Sequence, residues 1–121
     1  MKDKDNANTG IKHNSIALGT CITGSIDTDC DLRIDGIING NVHCKNKVVL
    51  GASGQIMGDL TCVNAEIMGH IEGKITVTEQ LSLKATSLVK GDVVVKVLSV
   101  EPAAIFDGTC KMRHDSIIEG V

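Results

Sequence analysis

Along most of the chain apolar residues come as pairs two apart, separated by polar stretches in which glycine recurs. From Val42 the apolar positions are Val42 and Cys44, then Val48 and Leu50, then Ile56. From Ile75 they are Ile75 and Val77, then Leu81 and Leu83, then Leu88; from Val93 they are Val93 and Val95, then Leu98 and Val100, then Ile105. A spacing of two is that of a strand with one face buried. Helix signals are nearly absent, and the single proline, Pro102, falls in a long corner, "VEPAAIF".

The pattern also repeats on a longer scale. The motif of glycine, any residue, apolar residue occurs as Gly24-Ser-Ile26, Gly40-Asn-Val42, Gly58-Asp-Leu60, Gly73-Lys-Ile75, Gly91-Asp-Val93 and Gly108-Thr-Cys110. Its apolar members step by 16, 18, 15, 18 and 17 residues. A period in this range marks a solenoid, in which each coil buries its apolar side only by stacking on neighbours. The expected fold is all-β: one parallel β-helix of six or so coils of about 17 residues, a rod on the order of 30 Å long at strand spacing ~4.8 Å. Read backwards, Ile16 and Leu18 take the place of Leu32 and Ile34, and Ile22 that of Ile38; Cys110 and Met112 begin a last, incomplete coil. Residues 1–14, opening "MKDKDNANTG", are expected to be a disordered polar tail, 15–113 the β-helix, and 114–121 a short extension whose Ile117 and Ile118 fold over the last coil. The phrases "IDGIINGNV" and "IMGHIEGKI" then read as corners with their flanking strands. Gly36, Gly40, Gly54, Gly58, Gly69, Gly73 and Gly91 lie where the chain bends sharply and positive φ suits glycine alone. No helix signal follows these glycines and no Gly-Lys-Ser/Thr closes them, so a phosphate cradle is not expected.

Composition sharpens this picture. Hydrophobic residues make up 42% of the chain, yet there is no Trp or Tyr and one Phe, Phe106. The core must be built from aliphatic and sulfur side chains that stack on copies of themselves. Net charge is −3 and the twelve Lys and Arg are scattered, which argues against nucleic acid as a partner. With no apolar run long enough to span a membrane and no signal-peptide core, the expected location is the cytoplasm. The five cysteines, at positions 21, 30, 44, 62 and 110, are expected to be free thiols.

No chemistry-bearing cluster emerges. Cys44 and Cys62 fall in one inward column that continues as Val77, Val95 and Met112, where cysteine serves as a small hydrophobe. Outward His43 could add a third metal ligand but no fourth is in sight, so neither metal nor cofactor is expected. His43 and His70 face outward without a companion or pocket, and no enzyme activity is expected. Asp59, Lys74 and Asp92 alternate in sign up one face, an arrangement worth a few tenths of a kcal/mol per pair. The ends are different. A β-helix ends in unpaired backbone groups, which natural solenoids usually block with a capping element. No amphipathic helix is legible at either end. Phe106, beside the inward corner residue Ile105 of the last complete coil, is then either a cap over the core or part of a joint.

The stretch "ITGSIDTDCDLRIDGIINGNVHCKNKVVLGASGQIMGDL" resembles the opening coils of bactofilins, bacterial cytoskeletal proteins, in its Leu32 to Gly36 phrase followed by Gly40 to Val42. The resemblance covers residues 15 to 112. It implies a right-handed, roughly triangular β-helix that assembles end to end into nonpolar filaments without nucleotide. It implies a phenylalanine at the C-terminal joint, a place matched by Phe106, with Ile105, Cys110 and Met112 around it and Ile16, Leu18 and Ile22 at the opposite end. Such filaments scaffold cell-wall enzymes or membrane and polar proteins, often on the inner membrane through a hydrophobic N-terminal motif. Here "KDKDNANTG" has no Phe, Leu or Ile to insert, which argues against direct membrane binding and leaves recruitment by a partner. Two other readings stand beside this one. A left-handed hexapeptide-repeat acyltransferase has coils of similar length, but steps of 15 to 18 do not keep strict hexads. A monomeric solenoid acting as a binding module is the third.

Overall fold

The alternating runs become twelve strands and no helix among residues 13–113, the part described by the computed structural model. In chain order they are β1 (His13–Ile16), β2 (Cys21–Thr23), β3 (Ile26–Thr28), β4 (Asp31–Ile34), β5 (Ile37–Asn39), β6 (Val42–Cys44), β7 (Lys47–Leu50), β8 (Gln55–Met57), β9 (Leu60–Ile67), β10 (His70–Leu83), β11 (Leu88–Val100) and β12 (Ile105–Met112). From β9 onward the strands run through corners that interrupt the earlier coils. Residues 1–12 of the expected N-terminal tail and the folding over of Ile117 and Ile118 lie outside the described residues; His13 and Asn14, expected in that tail, instead belong to β1, where they pair with Asp31 and Leu32.

Every strand pairing is parallel, and the pairs form three ladders. One joins β1, β4, β7 and the later parts of β9, β10 and β11, and stacks Ile16, Ile34, Leu50, Ile67, Leu83 and Val100 in a column. The second joins β2, β5, β8 and the openings of β10, β11 and β12, stacking Ile22, Ile38, Ile56, Ile71, Val89 and Phe106. The third stacks Ile26, Val42, Leu60, Ile75, Val93 and Cys110. Three ladders around one axis make a three-sided parallel β-solenoid of about six coils. Ile34, Leu50, Ile56, Ile67, Ile71 and Ile75 have no exposed surface. Burial of such a side chain is worth about 1.5–3 kcal/mol, so the axial columns supply the main driving force.

Two kinds of corner between the first and second ladders set most of the uneven period; the corner from the third ladder to the first adds the rest, being one residue shorter at Cys62–Asn64 and Val95–Val97 than at Val77–Gln80. Between the first and second ladders, four-residue turns at 17–20, 51–54, 84–87 and 101–104 are closed by hydrogen bonds such as Gly54 N to Gly51 O at 2.8 Å and Ser87 N to Lys84 O at 2.9 Å. At Asp35-Gly36 and Met68-Gly69 the chain saves two residues and sits directly on the turn below. A Cβ on Gly36 would strike the Thr20 carbonyl, and one on Gly69 the carbonyls of Gly51 and Gly54. Long and short corners thus alternate through five coils, which accounts for the two similar glycine phrases, beginning at Ile34 and Ile67. At 101–104 the alternation stops: a long turn lies on a long turn, and Ala103 takes φ of 80°.

Between the second and third ladders, Gly24, Gly40, Gly58, Gly73, Gly91 and Gly108 form a column, all at positive φ. Of the corner glycines expected from sequence, Gly40, Gly58, Gly73 and Gly91 belong here. Gly36, Gly54 and Gly69 do not have positive φ, and close backbone approach is what requires them.

Three placements differ from the sequence expectation. Asn14, not Ile16, pairs with Leu32, and Ile16 pairs with Ile34, which leaves Leu18 in a turn with 73% of its surface exposed. Leu88 and Ile105 point outward; Val89 and Phe106 occupy the inward column, and Ile105 is 56% exposed. In both places two apolar residues are adjacent, so a two-residue period fits either phase. The Asp59, Lys74, Asp92 ladder has the expected register, but its ties run mainly from side chain to backbone. Asn41 Oδ1 accepts from Asp59 N at 3.0 Å, and Asp59 Oδ1 from Lys74 N at 3.1 Å. Salt bridges concentrate elsewhere on the surface, as at Lys45 with Asp29 (3.6 Å) and Arg33 with Asp35 (2.9 Å).

Candidate functional site

A coil inside the stack has both its backbone edges paired. The first and last coils each have one edge with no described strand beyond it, so the unsatisfied chemistry of the molecule collects at its ends.

At the C-terminal end the inward positions are Leu98, Val100, Phe106, Cys110 and Met112. Phe106 lies over Val89 and is half-buried against the core with Leu98 and Ala104. Val100 is 50% and Met112 43% exposed, although their counterparts one coil below, Leu83 and Val95, are buried. Cys110 Sγ lies 3.9 Å from Met112 Sδ. The face is therefore apolar and uncovered by any described residue. Ile105 stands beside it on the outer rim rather than in it.

At the N-terminal end the corresponding positions are Asn14, Ile16, Ile22, Ile26 and Thr28. Ile16 and Ile26 pack on the core from this side. Leu18 is on the neighbouring turn, outside the column. Asn14 was not singled out by the sequence reading; the spacing from Ile16 to Ile22, matching that from Leu50 to Ile56, is the signal that would have placed it under Leu32.

Among the described residues the thiols and imidazoles form no second site. Cys44 Sγ donates to Cys30 O at 3.2 Å, and burial pushes the Cys44 thiol up; burial, helped by neighbouring Cys44, pushes Cys62 up to about 12. Both stay protonated and unreactive near neutral pH. No group of three or more His, Cys, Asp or Glu among the described residues is arranged to hold a metal ion. His43 Nδ1 lies 3.3 Å from Asp27 Oδ1 on the exposed surface. His70 Nε2 is 3.0 Å from Glu72 Oε2 in a poorly aimed contact, and it is left without a hydrogen-bond partner. A shallow polar groove lined by Lys47, Asn64, Ala65, Glu66, Gln80 and Ser82 includes neither histidine.

Fold and surface together define a parallel β-solenoid whose distinctive chemistry lies at its two ends. The sequence matches the bactofilin family model, described as polymer-forming cytoskeletal, over residues 14–111. The chain belongs to the bactofilin family. It is 31% identical over 91 residues to the bactofilin BacO of Myxococcus xanthus, an alignment covering 75% of this chain and 72% of that protein. Its fold is similar to that of Thermus thermophilus bactofilin in double helical filaments seen by cryo-EM, with a TM-score of 0.77, 22% identity, and coverage of 83% of this chain and 99% of the other. It is also similar to the cytoskeletal bactofilin BacA solved by solid-state NMR, with a TM-score of 0.73, 28% identity, and coverage of 86% and 97%.

Proposed function

We propose that this polymer-forming cytoskeletal protein assembles end to end, without nucleotide, into nonpolar filaments that scaffold cell-shape or cell-envelope proteins. The observation that carries the reading is the C-terminal face, where the aliphatic column ends in Phe106 with Val100 and Met112 exposed around it. A second copy placed on this face removes apolar surface from water and can satisfy the open edge of β12. The driving force is burial of surface the chain already presents, so no nucleotide is required. Joining like ends, C-terminal to C-terminal and N-terminal to N-terminal, makes each joint isologous and the filament nonpolar. The sides of the rod then repeat along the filament and offer partners, such as cell-wall enzymes or membrane proteins, a regular surface. The proposed location is the cytoplasm, with any association with the inner face of the membrane made through those partners; the described residues contain no helix able to cross a membrane.

The test is negative-stain electron microscopy of the purified chain with no nucleotide or metal added, beside Phe106→Arg. Long thin filaments are expected from the first sample, and folded particles no larger than a dimer from the variant. Filaments of normal length from Phe106→Arg would remove that side chain from the joint. Small uniform particles in both samples would overturn end-to-end assembly.

A further inference from the structure

The five inward positions of each coil can be compared at the two ends, because the register assigns every one to a column. At the C-terminal face all five, Leu98, Val100, Phe106, Cys110 and Met112, are apolar or sulfur-bearing. At the N-terminal face two of the five are polar: Asn14 stands where Leu32 stands one coil later, and Thr28 where Cys44 stands. They are joined across the corner, Asn14 Nδ2 donating to Thr28 Oγ1 at 2.9 Å, while Thr28 Oγ1 also accepts from Cys30 N at 3.1 Å. The aromatic position of the C-terminal face is matched at this end by the smaller Ile22. Just outside the polar pair, Asp27 and Asp29 have side chains 76% and 77% exposed, paired among the described residues with His43 and Lys45 of the next coil.

We infer that the two joints are unequal: the C-terminal faces form the tight one, and the Asn14–Thr28 pair holds the N-terminal faces to a weak, salt-sensitive one, so filaments grow from C-terminally joined dimers. The inference rests on the end-to-end reading above. Its physical basis is differential burial. At the C-terminal joint the inward positions that become hidden are all apolar or sulfur-bearing. The N-terminal joint must also bury two carboxamides whose remaining groups need partners across the interface, which offsets part of the gain. It further brings two copies of Asp27 and Asp29 toward each other, a repulsion that salt screens.

Sedimentation velocity over a concentration series tests this on the full chain, with folding checked by circular dichroism. Asn14→Asp is expected to halt assembly at a dimer, whereas Val100→Asp, charged at the other end, is monomeric at the same concentration. The double variant Asn14→Leu, Thr28→Val continues the apolar columns to the end, and it should lower the concentration needed for filaments by about tenfold or more and flatten their salt dependence. The same species from Asn14→Asp and Val100→Asp, continued filament growth by Asn14→Asp, or an unchanged threshold in the double variant would each overturn the inference. A wild-type chain that stays monomeric at every concentration would instead overturn end-to-end assembly itself.

Discussion

Gly73 shows how narrowly single residues are constrained in this stack. Its φ is +146°, and a Cβ there would strike the carbonyl of Gly58 in the coil below. Gly73→Ala therefore combines strain with a backbone clash that cannot relax without parting two ladders, and should cost about 2 kcal/mol or more, read as a lowered melting temperature. Cys62 makes a different point. Unfolded, its thiol ionises near the ordinary value of 9.0; folded, burial holds the proton up to about 12. Between those values the unfolded state binds fewer protons, so this contribution to stability is complete below pH 9 and is lost as pH rises through that window, by at most about 1.4 kcal/mol per unit. Denaturant unfolding under reducing conditions should show a shallower alkaline fall for Cys62→Val, which continues the column of Val77. An identical fall in both chains would contradict the assignment. The columns themselves, down to Cys44 over Cys62, were legible in sequence because every coil spends its inward positions on the same kind of side chain.

At the scale of elements, corners decide register. The turn Glu101-Pro102-Ala103-Ala104 has proline second, φ of 80° third and a closing hydrogen bond from Ala104 N to Glu101 O at 3.2 Å, the form of a type II turn. The equivalent turn of the first coil has Gly19 at the third place, with φ of 95°. Ala103→Gly should accordingly stabilise the last coil by about 0.5–1 kcal/mol, the relief of left-handed strain exceeding the added chain entropy; thermal unfolding checks the sign. The phase of the second ladder was the element misread from sequence. Leu88 beside Val89, and Ile105 beside Phe106, leave a two-residue period undecided. The glycine column decides it: Ile22, Ile38, Ile56, Ile71, Val89 and Phe106 each stand two residues before a glycine of that column. The alternation of long and short corners was also hidden, since it is a property of pairs of coils and does not show when each coil is set against the next.

For the molecule as a whole, sequence periodicity was sufficient for a solenoid, and the resemblance carried by Leu32 to Gly36 named its family. What neither supplied was the difference between the ends, which appears only when Asn14 and Thr28 are set against Leu98 and Met112 in the same columns. End-to-end assembly makes one demand that side-by-side assembly does not: the coils of successive chains must continue one axis. Cryo-EM of filaments grown without nucleotide measures this directly through the axial rise per chain. The account predicts a rise of about 30 Å, the length of six coils, with a meridional repeat of ~4.8 Å from strands stacked along the filament. A much shorter rise, or strands running along the filament instead of across it, would show that the chains join through their sides and would contradict the account.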